Sequence, residues 1–98
     1  MKGYAFGVMY HDNWKWLKEY RPEVLKLIES KGGKYLAVGN NPQMREGQKQ
    51  PAAYVLLEFP NLESAEKWYE DPDYQPLLEL RNSTGKTDFY IFEGIEES

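Results

Sequence analysis

His11 and Glu58 are the residues best suited to moving a proton. His11 is the single histidine of the chain and follows the apolar run YAFGVMY, where a strand end can meet a pocket mouth. Imidazole titrates near neutrality, so His11 could act as a general base or a haem ligand. No second histidine or cysteine stands at metal-ligand spacing to it. No metal site and no cofactor are therefore expected, and a solvated turn residue beside Asp12 is the plainer reading. Glu58 lies in the otherwise apolar run YVLLEF. By strand alternation it shares a face with Tyr54 and Leu56, while Val55, Leu57 and Phe59 share the other. Phe59 leads into a helical segment and is expected beneath it, which puts Glu58 on the opposite, barrel side. A carboxylate there either pairs with Arg81 or Arg45, or has its pKa raised by desolvation and accepts a proton from a bound enol or phenol. The salt bridge is the simpler of the two.

Three further residues are candidates for holding a ligand: Tyr54, Trp68 and Arg81. Arg81 closes an apolar helical turn, so it either meets a ligand carboxylate or complements the helix C-terminus. Trp68, with Tyr69 and Tyr74, has helical spacing, for which core packing is the default. Fifteen per cent of the residues are aromatic, eight of them Tyr, and such side chains suit interfaces and pockets as well as cores. No nucleophile elbow, phosphate-binding glycine loop or Ser-His-Asp pattern is present.

The bounds are narrow. A chain of 98 residues is expected to be one domain, 1–98, small enough to gain stability from a partner subunit. It has no cysteine, which removes disulfides and thiol chemistry. A net charge of −4 argues against nucleic acid. No apolar run approaches the roughly 20 residues of a membrane span. The start MKGYAFGV lacks the features of a signal peptide. A soluble, cytoplasmic protein is expected.

The elements that must position these residues are legible from punctuation. Residues 4–10 read as a strand, broken at His11-Asp12-Asn13, where Asp12 or Asn13 can cap a helix. From Trp14 to Lys31, Leu17, Tyr20, Val24, Leu27 and Ile28 recur at helical spacing. Pro22 should kink that helix, and Gly32-Gly33 should end it. Lys34 to Gly39 is a second strand, and Asn40 to Pro51 a polar, exposed hairpin connection. Residues 52–59 form a third, largely apolar strand ended by Pro60. Asn61 caps a helix carrying Leu62, Ala65, Trp68 and Tyr69 inward, and Asp71-Pro72 restarts another with Leu77, Leu78 and Leu80. Residues 88–93 are the last strand, and the tail IEES reads as frayed.

This order is β-α-β-β-α(α)-β, the ferredoxin-like α+β arrangement, with a four-stranded antiparallel sheet and helices on one face. The strands carry bulky apolar residues on both sides, so the helix-free face is expected to be an interface or a pocket wall. Two such sheets face to face would close a barrel.

The runs KGGKYLAVG and VLLEFPNLESAEKWYEDPDYQ, the Glu-Gly pairs at 46–47 and 93–94, and Arg81 together resemble domain-of-unknown-function family 1330, in the dimeric α/β-barrel superfamily. Lys31 stands where that pattern has His, and Lys49 and Ala53 where its loop carries Trp and Arg. The resemblance implies a homodimer with a small-molecule pocket between sheet and helices or at the dimer interface, and no assigned reaction. The alternative, by analogy within the superfamily, is a monooxygenase- or isomerase-type enzyme acting on a small aromatic or polyketide-like compound.

Overall fold

A computed structural model describes residues 1–95. The expectation of a frayed tail concerns residues 95–98, of which 96–98 lie outside the described residues. Four strands, β1 (Gly3–His11), β2 (Lys34–Asn40), β3 (Ala53–Phe59) and β4 (Gly85–Glu93), pair antiparallel in the order β2-β3-β1-β4. Helices α1 (Leu17–Ser30), α2 (Leu62–Glu70) and α3 (Gln75–Arg81), the last entered through a 3-10 turn at Pro72–Tyr74, complete the chain. This is the βαββαβ order of the ferredoxin-like fold.

Alternation sorts the side chains. Ala5, Ala53, Leu57 and Phe59 are buried on the helix-covered face with Val24 and Ile28 of α1, Ala65 and Trp68 of α2, and Tyr74. The intervening residues form the open face. The pairing register sets them in rows across the sheet: Ala37–Leu56–Phe6–Tyr90, and beside it Lys34–Glu58–Tyr4–Phe92. On strand β2 a bulge between Tyr35 and Ala37 changes the parity, so Val38 rather than Ala37 shares the face of Val55.

Three helix ends follow the local code, while α1 starts after Trp16 without the side-chain cap expected from Asp12 or Asn13. The Asn61 side chain accepts from the Ser64 amide at 2.8 Å, and that of Asp71 from the Asp73 amide at 2.9 Å. Helix α1 closes with Gly32 at a φ of 77°, as Gly33 N–H bonds Ile28 O and Gly32 N–H bonds Glu29 O, the Schellman pattern. Gly3 is required for another reason. A Cβ there would lie 2.4 Å from the backbone oxygen of Asn61, where the start of α2 crosses the sheet.

Several boundaries differ from expectation, the largest at α1 and β4. The first helix begins at Leu17, not Trp14, and continues through Pro22. The Asn13 side chain accepts from the Lys15 amide at 2.9 Å, and the Trp16 indole donates to the Asn13 carbonyl at 2.8 Å. Those bonds hold residues 13–16 in a turn that competes with helix. Strand β1 runs one residue further, to His11, and β2 also gains one, to Asn40; β4 begins at Gly85 because it pairs with β1 back to His11. The connection after Asn40 is exposed, apart from Pro42 and its last two residues, Pro51 and Ala52, as its polar composition predicts.

Candidate functional site

Between the helix-covered face and α1 and α3 lies a cavity of about 590 Å³. That is the size of a small-molecule site. Strand residues Met9, Val55, Thr87 and Phe89 form its floor. Trp14 and Trp16 of the turn, Tyr20 and Arg21 of α1, Trp68 of α2 and Arg81 of α3 form its walls.

The two tryptophans are there because residues 13–16 are not helical. Two positions apart on a helix, they would point to different sides. In the turn their rings sit 5.8 Å apart, and each lies within 5.5 Å of the His11 ring. The Trp16 edge meets the Tyr20 ring at 5.1 Å.

Arg81 is the charge of the site, and it is only 4% exposed. Its Nη1 donates to the Tyr74 hydroxyl at 2.8 Å, its Nε to Asn82 Oδ1 at 3.4 Å, and its guanidinium lies 5.2 Å from the Phe89 ring centre. The Tyr74 hydroxyl is bonded in turn to that of Tyr20 at 3.0 Å. Burial works to lower the Arg81 pKa, but Tyr74 and Tyr20 outweigh it and the net shift is upward, so the cation persists. Burial pushes the Tyr74 phenol far above its ordinary range, helped by Tyr20, so it stays protonated. Arg81 therefore has hydrogen bonds but no counter-charge: among the described residues it is in no ion pair with a carboxylate.

His11 is not the solvated turn residue expected. It is the last residue of β1 and is 4% exposed. Its Nδ1 lies 3.2 Å from Thr84 Oγ1 and its Nε2 2.9 Å from Thr87 Oγ1. The Thr84 hydroxyl donates to the Asn13 carbonyl at 3.0 Å, so its oxygen must accept from Nδ1–H. Nε2 of the neutral ring then accepts from Thr87. Burial, then the charge of Arg81, lowers the His11 pKa, with Asp12 opposing.

The sign of the pH dependence follows. The unfolded chain protonates His11 more readily than the folded one, so this term supports folding fully above the unfolded pKa of about 6.5 and is lost as pH falls towards the lower folded value. Melting curves from pH 8 to pH 5 should therefore fall more steeply for the wild type than for His11→Asn. Parallel curves would refute the neutral, buried assignment.

Glu58 lies on the other side of the sheet, as alternation predicts. Its side chain is 17% exposed, with Lys34 Nζ at 3.7 Å and Lys2 Nζ at 3.8 Å. The expected partners, Arg81 and Arg45, are replaced by lysines because Lys34 is its cross-strand neighbour. Pairs with such exposed lysines are worth about 0–1 kcal/mol. Tyr54 shares the Glu58 face, packed over Gly39. The five candidates therefore divide. Trp68 and Arg81 line the cavity, His11 stands behind its wall, and Glu58 and Tyr54 lie across the sheet from it.

Sequence reasoning missed Trp14, Trp16, Tyr20 and Thr87. The tryptophan pair carried a signal, since Asn13 just before it favours an Asx turn. Thr84 and Thr87 carried none, because only the register of β4 on β1 brings them to His11.

A family model described as a domain of unknown function, DUF1330, matches residues 2–95. Among curated proteins no match is found. Solved structures share the fold at low identity. A protein of unknown function from Rhodopseudomonas palustris superposes with a TM-score of 0.73 at 13% identity, covering 98% of this chain and 84% of that one. A dimeric ferredoxin-like protein of unknown function from Jannaschia sp. CCS1 gives 0.63 at 8%, covering 96% and 100%. SnoaB, a cofactor-independent oxygenase from Streptomyces nogalater, also gives 0.63 at 8%, covering 98% and 94%.

Proposed function

The chain belongs to the DUF1330 family, and on that footing we propose that it is a homodimeric α/β-barrel protein that binds a small molecule between its sheet and helices. The observation that carries this is the aromatic-walled cavity of about 590 Å³ with a buried cation at its inner wall. The apolar open face supports the homodimer: Tyr90 and Phe92 are 56% and 46% exposed in the single chain. A fold neighbour, the Jannaschia protein, is itself dimeric. A cytoplasmic location belongs to this reading and rests on the sequence argument.

Binding is preferred to catalysis because the described residues lining the cavity include no carboxylate and no histidine. Glu58, the proton acceptor the sequence suggested, faces away from it. The second reading, an oxygenase or isomerase, has one observation in its favour. Thr87 lines the cavity and is hydrogen-bonded to His11, a route from the cavity to a titratable base. The fold shared with SnoaB adds analogy alone.

The test is a fragment screen followed on the indole N–H signals of Trp14, Trp16 and Trp68. Saturable shifts that are lost when Val55→Phe narrows the cavity are the expected result, with the bound compound recovered unaltered in air. A compound recovered oxidised or isomerised would favour the second reading. No shift at millimolar fragment, in a folded protein, would refute the pocket.

A further inference from the structure

We infer that the ligand of this cavity is a flat, mainly apolar organic anion whose carboxylate sits on Arg81, with the Trp68 indole N–H as a second donor. This rests on the pocket reading above and names the class of its ligand.

Charge accounting is the first argument. An isolated cation is costly to bury and is normally matched by a carboxylate. The chain has 16 acidic residues against 12 basic ones, so carboxylates are plentiful. Glu23, Glu58, Glu63 and Asp71 nevertheless pair with lysines, and none of them with Arg81. Arg81 is surrounded by the uncharged hydroxyls of Tyr74, Tyr20 and Tyr69, the amide of Asn82 and the ring of Phe89. These groups fix its position without neutralising it. Its guanidinium suits a carboxylate, which it can hold through two parallel hydrogen bonds.

The second argument is independent of charge. Trp68 is 1% exposed, yet its indole Nε1 has no hydrogen-bond partner. A buried donor without an acceptor is rare in native proteins. Trp68 and Arg81 both line the cavity, so one acceptor group entering it can serve the pair. The remaining walls, Trp14, Trp16 and Phe89, are flat and apolar and suit an aromatic or unsaturated body rather than a sugar or a phosphate.

The experiment compares 2-naphthoate with 2-naphthamide, nearly equal in size and differing in charge, by calorimetric titration of the full chain at pH 7.5. The acid should bind one per chain and at least tenfold more tightly than the amide, and should shift the Trp68 indole N–H signal. In Arg81→Gln the preference should vanish. If that variant does not fold, the wild-type ratio alone decides. Equal or tighter binding of the amide overturns the anion and leaves the pocket standing. So does a preference for the acid that survives in folded Arg81→Gln. Binding of neither also overturns this inference, and the pocket reading is then judged by the fragment screen.

Discussion

If the chain dimerises through its open face as proposed, Phe6→Glu is expected to give a folded monomer. Phe6 is central on the open face, with Leu56 beside it on β3 and Tyr90 on β4. Tyr4 and Val8 flank it along β1, and Tyr4 stacks on Phe92 at 5.5 Å. The charges of the face, Lys34 with Glu58 and Lys86 with Asp88, lie towards its edges. When two copies of this face pack together, residue 6 is dry, and a carboxylate placed there has no cation within its row. Burying an unpaired charge costs about 3–5 kcal/mol and the dimer buries one from each copy, which weakens association by roughly four to seven orders of magnitude. Light scattering at micromolar concentration should give twice the chain mass for the wild type and the chain mass for the variant, with unchanged circular dichroism. A wild-type monomer would refute the dimer, and a dimeric variant would place the interface elsewhere.

The second large effect is on stability. Trp68→Ala should lower the free energy of unfolding by about 3–5 kcal/mol, the range for deleting a large buried aromatic ring. Trp68 is the hub of the aromatic core, with ring centres 4.7 Å from Tyr74, 5.6 Å from Phe59, 5.8 Å from Tyr69 and 5.8 Å from Phe89. It joins α2, the turn into α3, β3 and β4, so no single neighbour can move in to fill the space. Denaturant unfolding at constant m-value gives the figure. A loss below about 1 kcal/mol would mean that the site collapses freely, contrary to the packing.

The site was legible only in pieces. Trp68 and Arg81 were recognisable as candidates because a large aromatic on an inward helical stripe, and a cation ending one, each have limited uses. Arg81 looked like a surface residue complementing a helix C-terminus, since nothing nearby in sequence announces burial. Packing against Tyr74 and Phe89 is what removes it from water. Glu58 forms the salt bridge that is its simpler reading, with lysines in place of the arginines. Its face was read correctly, but its neighbours Lys2 and Lys34 come from two other segments of the chain.

What the sequence determined by itself was set within a few residues. Asn61, Asp71 and Gly32 mark helix ends through bonds to neighbours at most five positions away. Alternation in YVLLEF separated Phe59 from Glu58. The resulting order of elements left the ferredoxin-like sheet as the arrangement that buries both helical stripes. The tertiary structure alone decided what depends on strand register and helix docking. It set the row that joins Glu58 to Lys34, and it put His11 and Glu58 on opposite faces. It gathered Trp14, Trp16, Trp68 and Arg81, from three segments, around one cavity. The physical reason is range: caps and alternation act between residues close in the chain, whereas a cavity is the space left where distant elements meet, and no local pattern records it.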